Sequence, residues 1–314
     1  MRVLITGASG FVGQHLISHL VAADASVEIF ALDHSATETS LTQVKHLSGD
    51  ICDKPGLESL VKSVMPDAIV HLAALSSGAA SDRDAVFKVN VEGSRVLLDA
   101  AASISPFPKV LLASTGYVYG DTDANRPATE QDPIGPLWRY GAYTDSKIEM
   151  ESAAKGYKGF CMIARPFAHI GPGQRPSFAL SSFARQLARI EAGLEPPVLR
   201  VGNLSALRDL LDVRDVVRAY SLMLYHASPG ETLNIATGAP VSMLSALEKL
   251  QALCSVETTT ELDPNRLRPS DIQCSTGNSQ MLKAATGWVP EYTLDMTLED
   301  ILNWWREQTV LESA

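Results

Sequence analysis

Three glycines near the start of the chain constrain its fold more than any other feature. Gly7, Gly10 and Gly13 form a G-x-x-G-x-x-G pattern that follows the apolar run Val3-Leu4-Ile5 and opens a helical pattern. Glycine lets a chain turn sharply and lets another backbone come close. The first of three such glycines serves the turn, the second admits a pyrophosphate, and the third lets helix pack on strand. A helix beginning there aims its first amides at a phosphate. Gly7, Gly10, Phe11, Val12 and Gly13 are therefore expected to hold a dinucleotide, with a plain turn as the alternative.

The rest of the first half agrees with that start. Short apolar runs at 2–6, 27–32, 45–48, 68–72, 109–113 and 159–165 read as strands, and helical patterns fill 11–22, 57–65, 85–103 and 143–155. Alternation of this kind predicts a doubly wound parallel α/β sheet of Rossmann type. Strands buried on both faces read as unbroken apolar runs, as Val110-Leu111-Leu112-Ala113 does.

After Arg165 the texture changes. Beyond the loop at 171–176 come a helix at 178–193, a strand at 198–201, a helix at 213–226, a strand at 232–236 and a Pro/Arg-rich loop at 263–269. A last helix is expected at 297–308. The expected division is a dinucleotide-binding domain over 1–165, with the chain returning to it near 212–237, and a smaller mixed α/β substrate lobe over 166–314. Ligands in such folds lie at the carboxyl ends of the strands, against the second lobe.

Charge narrows the partners. The 36 acidic residues against 26 basic ones give a net charge of −10, with no long basic cluster. That argues against a nucleic-acid surface, which needs concentrated Lys and Arg. A few placed arginines can still bind a diphosphate. No window approaches a membrane-spanning run, and Met1-Arg2 leads directly into a strand, so a soluble cytoplasmic protein is expected. The four cysteines show no C-x-x-C pairing and no zinc spacing, so reduced and mostly buried thiols are expected, with no metal site.

Candidate site residues fall at strand ends. Asp33 ends the second strand, where a carboxylate accepts hydrogen bonds from a ribose and repels a 2′-phosphate; NAD(H) is favoured and NADP(H) stays open. Asp50, followed by Ile51, is placed to reach an adenine or simply to make a turn. Leu72, Ala73 and Ala74 leave backbone bare for a cofactor, and Asn90 either pins a backbone or water near the nicotinamide or is a buried helix residue. Ser114-Thr115 follow the fifth strand. Tyr143 and Lys147 lie four apart, hence on one helix face. A phenol beside an ammonium is expected to have its pKa, about 10 when free, drawn toward neutrality.

With Gly7–Gly13, Asp50, Thr115, Tyr143 and Lys147 in this order, the chain resembles the extended short-chain dehydrogenase/reductase family over essentially its whole length. The second half is similar to the branch that reduces GDP-4-keto-6-deoxy-D-mannose, through Arg165-Pro166-Phe167-Ala168-His169-Ile170-Gly171-Pro172-Gly173-Gln174, Val201-Gly202-Asn203-Leu204, Arg208-Asp209-Leu210-Leu211-Asp212-Val213-Arg214-Asp215 and Leu267-Arg268-Pro269-Ser270. The resemblance implies that Tyr143 protonates the nascent alkoxide, Lys147 holds the nicotinamide ribose and Thr115 orients the substrate oxygen. It adds Pro166 to the cofactor contacts, and His169, Arg208 and Arg268 to the substrate contacts; ion pairing is the alternative for the two arginines. It also implies a homodimer built on helices at 91–103 and 143–156.

Two departures matter. Relatives carry Asn where Ala168 stands, which removes a polar substrate contact. Dehydratases carry an acid pair or a Glu where Gly116-Tyr117 stand, and these two residues cannot do that work. The resemblance therefore implies NAD(P)H-dependent reduction of a GDP-linked 4-keto-6-deoxy sugar, giving GDP-D-rhamnose. A C4 epimerase with permanently bound NAD is the alternative, and a non-catalytic dinucleotide-binding protein a more distant one.

Overall fold

The computed structural model describes residues 1–34, 42–76, 82–135, 141–267 and 272–313. The first half runs β1 (Arg2–Thr6), α1 (Phe11–Ala23), β2 (Glu28–Asp33), β3 (Val44–Ser48), α2 (Lys54–Val64), β4 (Ala68–His71), α3 (Arg83–Phe87), α4 (Gly93–Ala102), β5 (Lys109–Ala113), α5 (Ala142–Ala154) and β6 (Cys161–Pro166). The second runs β7 (His169–Ile170), α6 (Ala179–Glu191), β8 (Val198–Val201), β9 (Leu207–Arg208), β10 (Leu211–Asp212), α7 (Val213–His226) and β11 (Thr232–Ile235). It ends with β12 (Val241–Ser242), α8 (Met243–Ala252), β13 (Thr259–Leu262), β14 (Cys274–Ser275), α9 (Gln280–Thr286) and α10 (Leu294–Ser313).

Seven strands form one sheet in the order β11-β6-β5-β4-β1-β2-β3, and every neighbouring pair is parallel. The expected Rossmann-type sheet is present. Strand order reverses between β1 and β4, which opens a crevice at their carboxyl ends. Leu4 pairs with Phe30 on one side and Ile69 on the other, and Val3, Leu4, Ile5, Ile69 and Val70 have no exposed surface. Removing each such side chain from water contributes ~1.5–3 kcal/mol. One core joins Ile5 of β1 to Leu16 and Leu20 of α1 and Val216 of α7; the opposite core joins Leu4 of β1 to Leu57 of α2, Leu97 of α4 and Met150 of α5.

A third core belongs to the second lobe, where α6, α8 and α10 pack Phe183, Leu187, Leu247, Ile301 and Leu302 together. Three buried aspartates of the segment 208–215 tie this lobe to the rest. Asp209 accepts from Thr237, Gly238 and Gly277 amides and from the Thr237 and Thr276 hydroxyls. Asp212 caps α7 and takes the Thr297 hydroxyl, while Asp215 takes the amides of Glu291 and Tyr292.

Several boundaries differ from the sequence reading. The helix expected at 85–103 is three pieces, α3 and α4 being joined by a π-helical turn, Lys88–Glu92. A π-turn inserts one extra residue and is frequent at functional sites. At its exit a Cβ on Gly93 would stand 2.7 Å from Ile51 Cδ1, so the glycine lets this bulge seat against Ile51. The helix expected at 57–65 begins at Lys54, with Pro55 in its first turn where a missing N–H is harmless, and Met65 closes it in the left-handed region at φ 46°. β6 starts two residues later than expected, and α10 runs further at both ends. Cys161 is buried, but Cys52, Cys254 and Cys274 are half-buried, so the expectation of mostly buried thiols fails; all four are free. Among the described residues no helix is long and apolar enough to cross a membrane.

Candidate active site

The glycine turn sits at the crevice. Gly7 has φ +70°, and a Cβ there would lie 2.7 Å from the Ala73 amide nitrogen. A Cβ on Gly13 would lie 2.5 Å from the Ala8 carbonyl oxygen. No side chain fits at either position, which keeps the turn flat against the exit of β4. Gly10 caps α1 without a side chain, leaving the first-turn amides of Phe11, Val12 and Gly13 without a side-chain partner. The Asp33 carboxylate accepts the Ser9 amide at 2.8 Å and so stands directly beside the turn. A backbone cradle with a helix N-terminus and an adjacent carboxylate fits a dinucleotide.

The remaining cofactor candidates divide. Leu72 and Ala73 are held by β1, their amides bonding the Thr6 carbonyl and hydroxyl, and with Ala74 they stay half-buried at the crevice. Asp50 is exposed and its carboxylate accepts the Cys52 amide, so its side chain is used in a turn; Ile51 packs inward. Asn90 is fully buried inside the π-turn. Its amide bonds both backbone groups of Leu75 and the Ser146 hydroxyl, clamping the β4 exit to α5. His71, also buried, bonds the Thr6 and Ser94 hydroxyls, and burial pushes it down to about 3, leaving it neutral.

The face of α5 carrying Tyr143 and Lys147 meets the end of β5. Thr115 begins the 3-10 turn Gly116–Tyr119 and accepts the Tyr117 amide. Its hydroxyl also bonds the Tyr143 phenol, and the Tyr117 phenol is close enough to influence Tyr143 electrostatically. Lys147 Nζ donates to the Ala113 carbonyl at 2.6 Å and lies 5.9 Å from the Tyr143 ring centre.

This geometry corrects one expectation. The Tyr143 phenol is not drawn toward neutrality; desolvation pushes it up to about 12, against a smaller downward pull from Thr115. Lys147 moves instead, lowered by burial to about 8. The reason is that the ammonium is bound to a carbonyl and offers the phenol its charge only past the ring, so burial dominates both groups.

Pro166 ends β6, paired with Ile235, and is buried. His169 stacks on Phe11 with ring centres 6.3 Å apart, which brings a substrate candidate against the cofactor turn. Arg208 lies on β9 and donates to the Leu207 carbonyl. Arg268 lies outside the described residues. Its neighbour Arg266 lines a cavity of about 530 Å3 with Ser182, Arg185, Gln186 and Arg200.

The sequence reading placed Ser114 beside Thr115 at the crevice edge but missed the groups it meets behind this wall. Ser114 Oγ donates to Glu151 at 2.5 Å, and Glu151 forms a two-pronged pair with Arg165, 2.9 and 2.6 Å. Arg165 also donates to the Tyr119 hydroxyl, which donates to Asn234. The signal was available, because Glu151 is a further helical turn past Lys147.

With the geometry in hand, the comparisons agree in class. A family profile described as GDP-mannose 4,6 dehydratase matches residues 4–301. GDP-6-deoxy-D-mannose reductase of Pseudomonas aeruginosa is 34% identical, with 98% of each chain covered. A solved structure of RMD from Pseudomonas aeruginosa, complexed with NADPH, superposes with a TM-score of 0.85 at 32% identity, covering 98% of this chain and 99% of that one. A UDP-glucose 4-epimerase of Thermus thermophilus in complex with NAD gives 0.81 at 28%, covering 98% and 99%.

The protein is an oxidoreductase of the extended short-chain dehydrogenase/reductase type, built for a nicotinamide dinucleotide. Within that type, the chain belongs to the family described as GDP-mannose 4,6 dehydratase.

Proposed function

We propose that the protein reduces the C4 keto group of a GDP-linked 4-keto-6-deoxy-hexose, GDP-4-keto-6-deoxy-D-mannose, to give GDP-D-rhamnose. The observation that carries the choice among family chemistries is the β5 exit. Thr115 and Tyr143 share a hydrogen bond there, while Gly116 and Tyr117 supply no carboxylate. Dehydration needs a proton taken from carbon and a departing hydroxyl protonated, and acids of ordinary carboxylate strength do that work. A hydroxyl pair beside a buried ammonium suits a carbonyl becoming an alkoxide instead.

A bound reduced nicotinamide supplies the hydride. Thr115 and Tyr143 hydrogen-bond the substrate oxygen, and Tyr143, protonated throughout the physiological range, delivers its phenolic proton to that oxygen as negative charge develops. Lys147 carries the positive charge of the site and holds the ribose hydroxyls. Gly7, Gly10, Phe11, Val12 and Gly13 hold the pyrophosphate. Asp33 takes the adenosine ribose and favours NAD(H), although the Pseudomonas structure contains NADPH. Leu72, Ala73, Ala74 and Pro166 line the cofactor path, and Asn90 shapes it through Leu75. Asp50 and Ile51 are proposed to face the adenine end, with the Asp50 carboxylate shared with its own turn.

His169, Arg208 and Arg268 are proposed to contact the substrate. The support is chemical, since a diphosphate is best held by fork-shaped cations; the cavity near Arg266 is lined by other arginines, Arg185 and Arg200. The protein is also proposed to be a cytoplasmic homodimer with lobes meeting near residue 165.

The test is consumption of NADH or NADPH by purified protein given freshly prepared GDP-4-keto-6-deoxy-D-mannose, with Tyr143→Phe alongside. Consumption abolished by that substitution, with GDP-D-rhamnose as product, is expected. No consumption with either cofactor, together with NAD retained through purification, would sink the reductase and point to a C4 epimerase.

A further inference from the structure

Behind the catalytic wall lies a buried ion pair to which the proposed reaction assigns no role. Tyr143, Lys147 and Glu151 occupy successive turns on one face of α5. They meet three consecutive residues at the end of β5. Thr115 bonds Tyr143, Ala113 receives Lys147 Nζ at 2.6 Å, and Ser114 donates to Glu151 at 2.5 Å. Lys147 therefore sits between the phenol it serves and a carboxylate one turn away. Such i,i+4 neighbours have Cβ atoms about 5–6 Å apart.

The carboxylate is fixed on its far side. Arg165, on β6, bonds both oxygens of Glu151 and leans on the Tyr119 hydroxyl, whose own proton goes to Asn234. Neither side chain of the Glu151–Arg165 pair is more than 8% exposed. An ion pair buried so deeply is weak evidence for stability, because desolvation offsets most of its attraction. Its placement, one turn behind the ammonium, suggests a use.

We propose that Glu151 is a positioning residue for the proposed reduction, holding the Lys147 side chain as an ammonium ion directed at the Ala113 carbonyl. The proposal rests on the reductase reading only for the consequence in catalysis. Its physical content concerns Lys147 alone.

Among the described residues around Tyr143 and Lys147, Glu151 is the carboxylate whose charge acts on Lys147. Tyr143 on the same helix and Tyr117 on the turn after β5 are phenols, and burial keeps Tyr143 protonated. His71 from β4 is neutral, with its own pKa lowered partly by the charge on Lys147, which also places the two groups near each other. Tyr220 from α7 is buried and protonated. Arg165 spends its guanidinium on Glu151 and Tyr119. Burial draws Lys147 down to about 8, and the Glu151 charge is the group that resists that fall.

The experiment follows Lys147 directly. Protein carrying lysine labelled with 13C at Cε is titrated by NMR from about pH 6 to 11, the Lys147 signal being assigned by its loss in Lys147→Met. Wild type, Glu151→Asp and Glu151→Gln are compared, each with a pH–rate profile in the reductase assay. In wild type the midpoint is expected near 8. Glu151→Asp keeps it there, and Glu151→Gln lowers it by about one unit, which cuts the ammonium fraction at pH 8 roughly five-fold and moves the alkaline limb of the profile equally.

An unchanged midpoint in Glu151→Gln, with only thermal stability reduced, overturns the proposal and makes the pair purely structural. If the lone substitution prevents folding by stranding Arg165, the double variant Glu151→Gln/Arg165→Met removes both charges and is held to a midpoint shift in the same direction, smaller because a cation is lost with the carboxylate. A wild type that never consumes cofactor defeats the reductase reading but leaves the Lys147 titration to decide the role of Glu151.

Discussion

The two lobes meet at one crevice but are built on different terms. On the Rossmann side the groups behind the Tyr143 wall are buried and spoken for. Thr115 is 6% exposed and Lys147 3%, and each has a short, directed partner. On the other side the cationic groups are partly exposed, and several pair with surface acids. Arg266 bonds Asp263 and Ser182, and Arg189 bonds Glu195 and Glu312. Under the proposed reduction, the difference means that chemistry is preorganised while recognition is left soft. A proton donor misplaced by an ångström loses its reaction, whereas a flexible cation loses only part of an affinity.

That contrast can be broken most directly at Tyr143. Tyr143→Phe is expected to lower kcat by about 10²–10⁴-fold, with unfolding temperature and cofactor binding little changed; initial rates beside a thermal melt check this. A retained rate would show that the buried wall does not carry the proton transfer.

The next effect falls on the turn. Gly13→Ala puts a methyl carbon 2.5 Å from the Ala8 carbonyl, so the turn must open. Destabilisation of about 1–3 kcal/mol is expected, with cofactor affinity falling as well, both read from melts with and without NADH.

The substrate lobe should respond more gently. Arg208→Ala and Arg266→Ala are each expected to raise KM for the nucleotide sugar about ten-fold, with kcat nearly unchanged, the signature of lost uniform binding. A fall in kcat instead would mean that the arginines act in the transition state and that the soft side is not soft.

The pH profile gives the smallest effect and the sharpest division. Lys147 keeps its proton below about 8 and loses it above, whereas Tyr143 holds its own to about 12. kcat/KM is therefore expected to be level through neutrality and to fall with rising pH near 8. The limb belongs to the lysine, so it should persist with unaltered midpoint in Thr115→Ser. A limb that moves with Thr115 would assign it to the phenol.

The sheet was legible because parallel strands covered on both faces must be continuously apolar, as β1, β4 and β5 are. The glycine turn was legible because Gly7 at positive φ, and Gly13 against the Ala8 carbonyl, permit no substitute. The short strands β7, β9, β10 and β12, each two residues long, escaped because so brief a run has no period to detect. Asn90 stayed ambiguous because a helical pattern does not reveal a π-turn. Its role depends on Leu75 and Ser146, which are 15 and 56 residues away.

The sequence by itself determined the class of fold, the glycine turn and the placing of Tyr143 and Lys147 on one helix face, since all three rest on local spacing and on glycine's missing side chain. Tertiary structure alone decided the direction in which each of those two groups shifts. A pKa depends on burial and on the partners that distant strands deliver. Here the Ala113 carbonyl took the ammonium, Glu151 came up behind it, and desolvation overruled the neighbourly pull that four-residue spacing had implied.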